Sequence, residues 1–357
     1  MLGATLASQP VTLEIRMKRI RLGRTGIIVN SLGFGALPLQ RTDMQEAVAL
    51  LHRAVEGGVN FFDTARMYSD SETKLGTALH GLRQKVFLAT KSTGKDARAM
   101  EADLAVSLAE LRTDYLDVYQ VHNAQEVPTP GDGTGRYELL ERLKQSGVIR
   151  AIGLTAHSLD VAARAVASGL YDTIQFPFSL LASDAELDLA AACEKADLGF
   201  IAMKGLGGGL ITNIPAAFRF IARYPNVAPI WGLQSVAELE EFLALEAHPP
   251  VWDADMEAAV QAERAALAGT FCRSCGYCLP CPQDIAIPNI ARMNRLLRRS
   301  PWQAWATPEW REKIEQAKSC IQCGDCASRC PYGLDPAALV AGNITDYEQF
   351  MREKGVL

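Results

Sequence analysis

The first 192 residues contain no cysteine, although the chain has nine. Eight of the nine fall between Cys272 and Cys330, and only Cys193 lies elsewhere. A secreted protein held together by disulfides would not usually leave so much of its length without cysteine. Clustered C-x2-C units in a chain without a secretion signal are typical of metal ligands in a reducing compartment. We therefore expect a cytoplasmic protein whose last third binds metal.

The chain also lacks a long apolar run, a signal-peptide pattern and an excess of basic residues. No run approaches the roughly 18 apolar residues needed to cross a bilayer. The first 16 residues lack a basic start followed by a sustained apolar stretch, and we expect residues 1–17 to be a disordered N-terminal extension. The net charge of -5 argues against a nucleic-acid partner. We thus expect neither a membrane nor a nucleic acid as a partner.

Residues 31–246 alternate between short β-rich apolar segments and segments with helical periodicity. The strand candidates are SLGFGA, VNFFD, VFLAT, YLDVYQVH, IRAIGL, DTIQF, GFIAM and VAPI. Such alternation predicts parallel βαβ units, and eight units in about 220 residues favour a closed (β/α)8 TIM barrel over an open doubly wound sheet. The open sheet is the alternative, although no G-x-G-x-x-G follows the first strand. We place the barrel at residues 18–250.

Four polar residues stand at or near the ends of successive predicted strands: Asp63, Tyr68, Lys91 and His122. Chemistry in TIM barrels occurs at this end of the strands. Reduction of a carbonyl leaves negative charge on oxygen, and a tyrosine can protonate it if a nearby lysine lowers the tyrosine pKa from about 10. An aspartate can hold that lysine, and a histidine can hydrogen-bond the carbonyl oxygen. Each residue alone could be an ordinary rim or surface residue, but their joint placement favours an acid with supporting groups.

These segments resemble the aldo-keto reductase family. The resemblance extends from about residue 18 to residue 246 and includes RLGRTGIIVNSLGFGALPL, YLDVYQVHN, IRAIGLTAHS and IQFPFSLL. Its most specific part is the pattern DTA-x2-Y-x3-E-x2-LG within NFFDTARMYSDSETKLG. The resemblance implies an NAD(P)H-dependent reductase on a (β/α)8 barrel.

The resemblance also implies roles for particular residues. Tyr68 would be the acid, with Asp63, Lys91 and His122 beside it. Gln175 matches the glutamine that binds the nicotinamide amide.

Where the family has G-x-S-N after the fifth strand, this chain has GLTAHS. Thr155 fits the pattern, whereas Ala156 removes one hydrogen-bonding side chain. His157 either compensates for that loss or is a simple rim histidine.

After the seventh strand, many members of the family stack an aromatic ring on the nicotinamide, and this chain has Met203 followed by Lys204. Methionine sulfur can contact a ring, although less specifically. Lys204 either meets a cofactor phosphate or is a rim lysine. The glycine run that begins at Gly207 lets backbone amides approach a pyrophosphate.

The segment after the eighth strand indicates the choice of cofactor. Members that prefer NADPH carry basic residues there, but this chain has Gly232 and Glu238 at the corresponding positions and no Lys or Arg between Tyr224 and Glu263. A carboxylate repels the 2′-phosphate of NADPH. We therefore expect NAD(H) to be favoured over NADP(H).

The cysteines form two units, FCRSCGYCLPCPQ and SCIQCGDCASRCP. The second has the C-x2-C-x2-C-x3-C-P spacing of bacterial ferredoxins, whereas the last gap of the first is one residue shorter. In two-cluster ferredoxins the fourth cysteine of each unit serves the other cluster. The predicted ligand sets are Cys272, Cys275, Cys278 and Cys330 for one [4Fe–4S] cluster, and Cys320, Cys323, Cys326 and Cys281 for the other. Zinc and disulfides are the alternatives, and two sets of four cysteines that end in C-P favour clusters over both.

Residues 251–357 show no strand alternation. We expect a small, mainly α-helical, ferredoxin-like iron–sulfur domain with two helices in its part beyond residue 265. Its basic run, RMNRLLRRS, is interpreted as a solvated helix face, with a docking patch as the alternative. Over nearly its whole length the chain resembles a subgroup of aldo-keto-reductase-like proteins that carry such a C-terminal domain.

Together these features predict an oxidoreductase that reduces an aldehyde or ketone, or oxidises the alcohol, by hydride transfer with a nicotinamide cofactor. Two alternatives stay open. The clusters could relay electrons between the barrel and a ferredoxin or flavin partner, or the chain could be a non-catalytic redox-sensing module.

Overall fold

The computed structural model describes residues 17–269 and 271–357. The N-terminal extension expected at residues 1–17 lies outside them, apart from Met17. Ten strands occur in the described part of the chain. They are β1 (Arg19–Arg21), β2 (Ile28–Asn30), β3 (Gly33–Gly35), β4 (Phe61–Asp63), β5 (Phe87–Ser92), β6 (Leu116–Val121), β7 (Ile149–Thr155), β8 (Thr173–Pro177), β9 (Gly199–Met203) and β10 (Val227–Gly232).

Strands β3 to β10 form a closed parallel barrel in chain order, with β10 paired to β3. They coincide with the eight strand segments predicted from the sequence, so the TIM-barrel prediction is confirmed and the open sheet is wrong. The parallel register places Asp63 beside Ala89, Lys91 beside Gln120, and Thr155 beside Gln175. Polar residues from neighbouring strand ends therefore meet at one end of the barrel.

Eight helices connect or follow the barrel strands and pack around the outside. They are α1 (Met44–Glu56), α2 (Ser71–Ala78), α3 (Ala97–Glu110), α4 (Arg136–Gln145), α5 (Leu159–Ser168), α6 (Asp184–Lys195), α7 (Ile214–Ile221) and α8 (Val236–Ala247). Local chemistry sets several of their ends. At the start of α1 the Asp43 carboxylate accepts from the backbone amide of Glu46, and the Glu46 carboxylate accepts from the backbone amide of Asp43. Gly169 ends α5 in a left-handed conformation with φ of 69°.

The hairpin of β1 and β2 closes the opposite end of the barrel, where the strands begin. Its apolar residues, which include Ile20, Leu22 and Val29, are buried against inward-facing barrel residues such as Ala89 and Ala151. Small residues at those barrel positions leave room for the hairpin. The hairpin thus blocks the N-terminal end of the barrel, and the polar residues lie at the C-terminal ends of the strands.

The C-terminal region is mainly helical, as predicted. Its helices are α9 (Ala254–Ala266), α10 (Ile287–Ile290), α11 (Met293–Arg299), α12 (Pro308–Ala317), α13 (Asp325–Ser328) and α14 (Pro336–Glu353). The expectation of two helices beyond residue 265 was wrong because α10, α11 and α13 have 4 to 7 residues, which is too short for periodicity to show.

The proposed domain boundary at residue 250 falls between α8 and α9. No helix among the described residues is long and apolar enough to cross a membrane.

The basic run on α11 is not a solvated face throughout. Arg292 is buried and donates to the carbonyls of Pro288 and Gly208, and Arg299 donates to the carbonyl of Leu210. The carbonyls of Gly208 and Leu210 belong to the loop after β9 and need partners from outside that loop. The run therefore fastens the iron–sulfur region to the barrel.

Candidate active site

A buried ion pair forms the base of the site. Lys91 Nζ lies 2.5 Å from Asp63 Oδ1 and also donates to the Thr64 carbonyl at 2.6 Å. Gln120 Nε2 and Gln175 Nε2 donate to the two Asp63 oxygens at 3.1 and 3.2 Å. Asp63 and Lys91 are 2% and 1% exposed, so neither charge would be tolerated there without the other. Gln120 was not singled out in the sequence, although it stands two residues before His122 on β6.

Tyr68 and His122 lie above this pair. Their ring centroids are 5.7 Å apart in an edge-to-face arrangement, and Lys91 Nζ lies 5.2 Å from the centre of the Tyr68 ring. Backbone hydrogen bonds of the loop after β4 hold Tyr68 in place. The Tyr68 amide donates to the Ala65 carbonyl, and the Arg66 amide donates to the Lys91 backbone carbonyl. The structure thus brings together all four residues that the sequence predicted as an acid and its supporting groups.

The pKa of Tyr68 departs from the expected direction. We expected Lys91 to lower it, but burial raises the pKa of Tyr68 well above its usual value, and the negative forms of Tyr277 and Asp63 add to the shift. Lys91 Nζ lies 5.2 Å from the centre of the Tyr68 ring, but its charge is paired with Asp63 at 2.5 Å, and burial remains the largest cause of the raised pKa. Tyr68 is therefore protonated across the physiological range.

The two histidines of the barrel mouth are neutral. Burial lowers the pKa of His122 well below its usual value, with Lys91 and His157 contributing in the same direction. Burial also lowers the pKa of His157 well below its usual value, and Lys204 adds to that shift. His122 Nδ1 and both ring nitrogens of His157 are buried without a hydrogen-bond partner. Neutral imidazoles can still donate and accept one hydrogen bond each.

The residues matched to the nicotinamide amide lie beside the ion pair. Thr155 Oγ1 accepts from the Asn123 amide at 2.7 Å, which leaves its hydroxyl hydrogen free to donate. Gln175 Oε1 is buried and has no partner. Both groups are thus available to an amide ligand, whereas Ala156 is buried and supplies only its backbone.

The remaining residues predicted to bind cofactor have varied surroundings. Met203 packs partly buried against the inner apolar cluster, and Gly207 adopts a φ of 59° that favours glycine. Gly232 is exposed at the end of β10. The Glu238 carboxylate accepts from the Gln234 amide at 2.8 Å. The fifth of these residues, Lys204, donates to the carbonyl of Ser274 at 3.2 Å.

Ser274 belongs to a segment that sequence reasoning did not connect with the barrel. Tyr277 Oη in the same segment lies 3.4 Å from His122 Nε2. The Tyr277 ring centroid is 5.0 Å from that of His157, and Tyr332 approaches His157 at 5.7 Å. No periodicity links residues 155 positions apart, so the only signal in the sequence was an aromatic residue inside a cysteine unit.

The eight clustered cysteines surround two cavities that match the predicted ligand sets. One cavity is lined by Cys272, Cys275, Cys278 and Cys330. A second cavity is lined by Cys281, Cys320, Cys323 and Cys326, and Cys278 lines this cavity as well. Cys281, whose unit has the shortened gap, thus lies near Cys320, Cys323 and Cys326, and its role as a ligand stays a prediction.

The arrangement of these thiols bears on the choice between cluster and zinc. In the described residues, no three His, Cys, Asp or Glu side chains are placed to hold a single metal ion. A tetrahedral zinc needs four sulfurs about 2.3 Å from one point. Two sets of four thiols instead fit groups in which each thiolate binds its own iron. The donor set therefore fits iron–sulfur clusters.

Comparison with known proteins identifies both parts of the chain. A model of the aldo/keto reductase family matches residues 31–215, which is just over half of the chain. The chain belongs to this family. A model of the 4Fe-4S dicluster domain matches residues 271–335, so this aldo-keto reductase carries a C-terminal 4Fe-4S domain.

Individual relatives resemble the barrel. The uncharacterized oxidoreductase YqkF of Bacillus subtilis is 29% identical over 214 residues, which cover 56% of this chain and 68% of YqkF. A putative aldo-keto reductase from Pseudomonas aeruginosa is 27% identical with a TM-score of 0.57, over 66% of this chain and 98% of that one. An aldo-keto reductase from Klebsiella pneumoniae in complex with NADPH is 24% identical with a TM-score of 0.58, over 69% of this chain and 94% of that one. The last likeness shows the fold alone.

Proposed function

We propose that this aldo-keto reductase reduces an aldehyde or ketone, or oxidises the corresponding alcohol, at the last ends of the barrel strands. The observation that carries the proposal is the placement of Tyr68 beside His122 and over the buried Lys91–Asp63 pair. A phenol, a neutral imidazole and a positioned ammonium are the groups that a developing alkoxide requires.

Each residue has a distinct part in this chemistry. Tyr68 is protonated and gives its proton to the carbonyl oxygen as negative charge develops there. Lys91, 5.2 Å from the Tyr68 ring, stabilises the tyrosinate that remains, and Asp63 keeps the lysine in place. His122 is neutral and donates a hydrogen bond to the same oxygen. In the reverse direction the tyrosinate takes the proton of the alcohol.

A reduced nicotinamide would supply the hydride, and part of the barrel mouth fits it. Gln175 Oε1 and the Thr155 hydroxyl are available to the carboxamide. Membership of the aldo/keto reductase family supports a nicotinamide as the class of cofactor. We propose that this chain favours NADH over NADPH, because the Glu238 carboxylate stands where a 2′-phosphate needs positive charge.

The two cysteine sets would hold two [4Fe–4S] clusters, which supply one-electron chemistry when bound. The first set is Cys272, Cys275, Cys278 and Cys330, and the second is Cys281, Cys320, Cys323 and Cys326. The cavities that each set lines support this assignment. Iron and sulfide analysis of anaerobically purified protein tests it: about eight irons per chain are expected, and stoichiometric zinc would contradict it.

Substitution of Tyr68 tests the proposed reaction. Anaerobically purified wild type and Tyr68→Phe are given NADH or NADPH with a panel of aldehydes and ketones. Loss of the proton donor is expected to lower kcat by about 10²- to 10⁴-fold. Tyr115→Phe is the matched control, because Tyr115 stacks with Arg83 and Arg150 away from the site. Equal turnover by wild type and Tyr68→Phe would show that Tyr68 is not the acid.

A second candidate is an electron-relay enzyme coupled to a ferredoxin or flavin partner. The observation that favours it is the contact between Tyr277, which lies between Cys275 and Cys278, and His122. In that case a reduced one-electron carrier would support turnover without nicotinamide, with two carriers oxidised and two protons consumed per carbonyl reduced. Turnover that requires nicotinamide and ignores the carrier would argue for the first candidate.

A further inference from the structure

A short segment of the iron–sulfur domain covers the barrel mouth at the histidines. Tyr277 Oη lies 3.4 Å from His122 Nε2, which is the place where the proposed reaction needs the carbonyl oxygen. The Tyr277 ring also stands edge-on to His157, with centroids 5.0 Å apart. His122 and His157 are 7% and 6% exposed as a result of these and neighbouring contacts. A substrate oxygen and the Tyr277 hydroxyl therefore compete for one position.

The same segment also covers the loop after β9. Lys204 Nζ donates to the Ser274 carbonyl at 3.2 Å. Gly208 lies so near that a Cβ at this position would be 3.2 Å from the Arg273 carbonyl, and its own carbonyl accepts from Arg292. This is the loop whose lysine and glycines were predicted to meet the cofactor phosphates. Both the nicotinamide end and the pyrophosphate end of the predicted cofactor site thus have protein against them.

From these contacts we infer that residues 273–277 form a lid that occupies the place of the nicotinamide and the substrate, so that both bind only when the lid withdraws. The inference rests on the proposed function for the identity of the ligands. It concerns regulation of the same site by the iron–sulfur domain. The Gln175 and Thr155 groups beneath the lid fit an amide, so the barrel itself is competent and the lid controls access.

The lid is joined to the first cysteine set at several points. It lies between Cys272 and Cys278 and contains Cys275, while Tyr332 follows Cys330 by two residues. A cluster held by that set would tie the segments that carry both tyrosines to one another. Yet the hydroxyl of Tyr332 and both nitrogens of His157 are buried without partners, so this part of the closure is made by ring contacts. Few hydrogen bonds must break for the lid to open.

Chemical modification of histidine tests the lid without reference to turnover. The holoprotein has five histidines, of which His80 and His248 are exposed and serve as internal standards. Diethyl pyrocarbonate is applied anaerobically to wild type and to Tyr277→Ala, and each site is quantified by mass spectrometry. Removal of the ring and its hydrogen bond is expected to raise modification of His157 about tenfold. Leu279→Ala, a change at an exposed position of the same cysteine unit, is expected to leave it unchanged.

Titration of the same proteins with NADH and NADPH separates the lid from the proposed function. Tighter binding by Tyr277→Ala than by wild type, together with faster His157 modification, supports both. Faster modification with no nicotinamide binding by either protein supports the lid but contradicts the nicotinamide-dependent function. Equal modification of His157 in wild type and Tyr277→Ala overturns the lid, whatever the cofactor does.

Discussion

The two halves of the barrel mouth differ in how their polar groups are satisfied. On the β4 to β6 side, Asp63 and Lys91 are buried but fully bonded by groups of the barrel itself. On the β7 to β9 side, His157 and the Gln175 carbonyl have unpartnered buried atoms, and Lys204 bonds to the iron–sulfur domain. Buried polar groups are nearly always paired. The Asp63–Lys91 pair is therefore complete without a ligand, although Gln120 Oε1 and His122 Nδ1 on the same side have no partner. The second half leaves more of its buried groups to a ligand and is covered by another part of the chain.

The barrel and the iron–sulfur domain therefore have different functions at this site. The barrel alone supplies the acid and its supporting groups, while access to them depends on a segment placed by cysteines. Changes in the first half should alter stability and chemistry, and changes in the second should alter access and binding.

The largest effect is expected from breaking the buried ion pair. Lys91→Met leaves the Asp63 carboxylate buried without its cation, and we expect a loss of about 3–5 kcal/mol in the free energy of unfolding. Urea denaturation measures it. The double variant Asp63→Asn/Lys91→Met removes both charges and is expected to recover most of the stability but none of the activity. A single variant as stable as wild type would contradict the account of this half.

A smaller effect is expected where the iron–sulfur region is fastened to the barrel. Arg292→Met removes buried bonds to the carbonyls of Pro288 and Gly208, and we expect a loss of about 1–3 kcal/mol. Arg298→Met on the same helix removes an exposed pair with Asp346 and should cost less than about 1 kcal/mol. Thermal or urea unfolding of the two variants compares them. Equal losses would show that Arg292 does not fasten the domain.

The buried histidines predict the direction of a pH effect on stability. The unfolded chain protonates its imidazoles near pH 6.5, whereas the folded chain holds the pKa of His122 and of His157 well below that value. Below pH 6.5 the unfolded state thus binds more protons, and stability falls as the pH is lowered. We expect each histidine to cost about 1.4 kcal/mol between pH 7.5 and 5.5.

Urea unfolding of wild type and His157→Gln at both pH values isolates the contribution of one ring, because effects common to both proteins cancel. A wild type whose pH dependence equals that of the variant would show that folding does not lower the pKa of His157.

The smallest effect is expected on the choice of cofactor. Glu238→Arg replaces a repelling carboxylate with a cation, and NADPH affinity relative to NADH should rise by up to about fivefold for such a partly exposed pair. The measurement is best made in the Tyr277→Ala background, where the lid is open. Glu257→Arg makes the same charge change at an exposed position on α9 and should leave the ratio unchanged. A preference for NADPH in the unmodified chain would contradict the role given to Glu238.

The sequence predicted the barrel and the acid group well because both follow from local patterns. Apolar strand segments at regular spacing marked β3 to β10, and Asp63, Lys91 and His122 followed directly from the strand ends. The β1–β2 hairpin was missed because its strands have three residues each, which is too few for alternation to show.

Features that depend on distant segments could not be predicted. The rise in the Tyr68 pKa comes mainly from burial, to which Tyr277 in the distant cysteine unit adds. The contact of Tyr277 with His122 joins residues 155 positions apart. The sequence predicted Arg292 as part of a solvated basic face, whereas it is buried and donates to the Gly208 carbonyl on the loop after β9.

The most direct test of the central claim, that the lid and the nicotinamide share one place, is a crystal structure of the anaerobically purified protein grown with and without a nicotinamide cofactor. We expect Tyr277 near His122 in the cofactor-free crystals and withdrawn from it wherever a nicotinamide lies over Gln175. A nicotinamide bound there while Tyr277 Oη still lies within hydrogen-bond distance of His122 Nε2 would contradict the account.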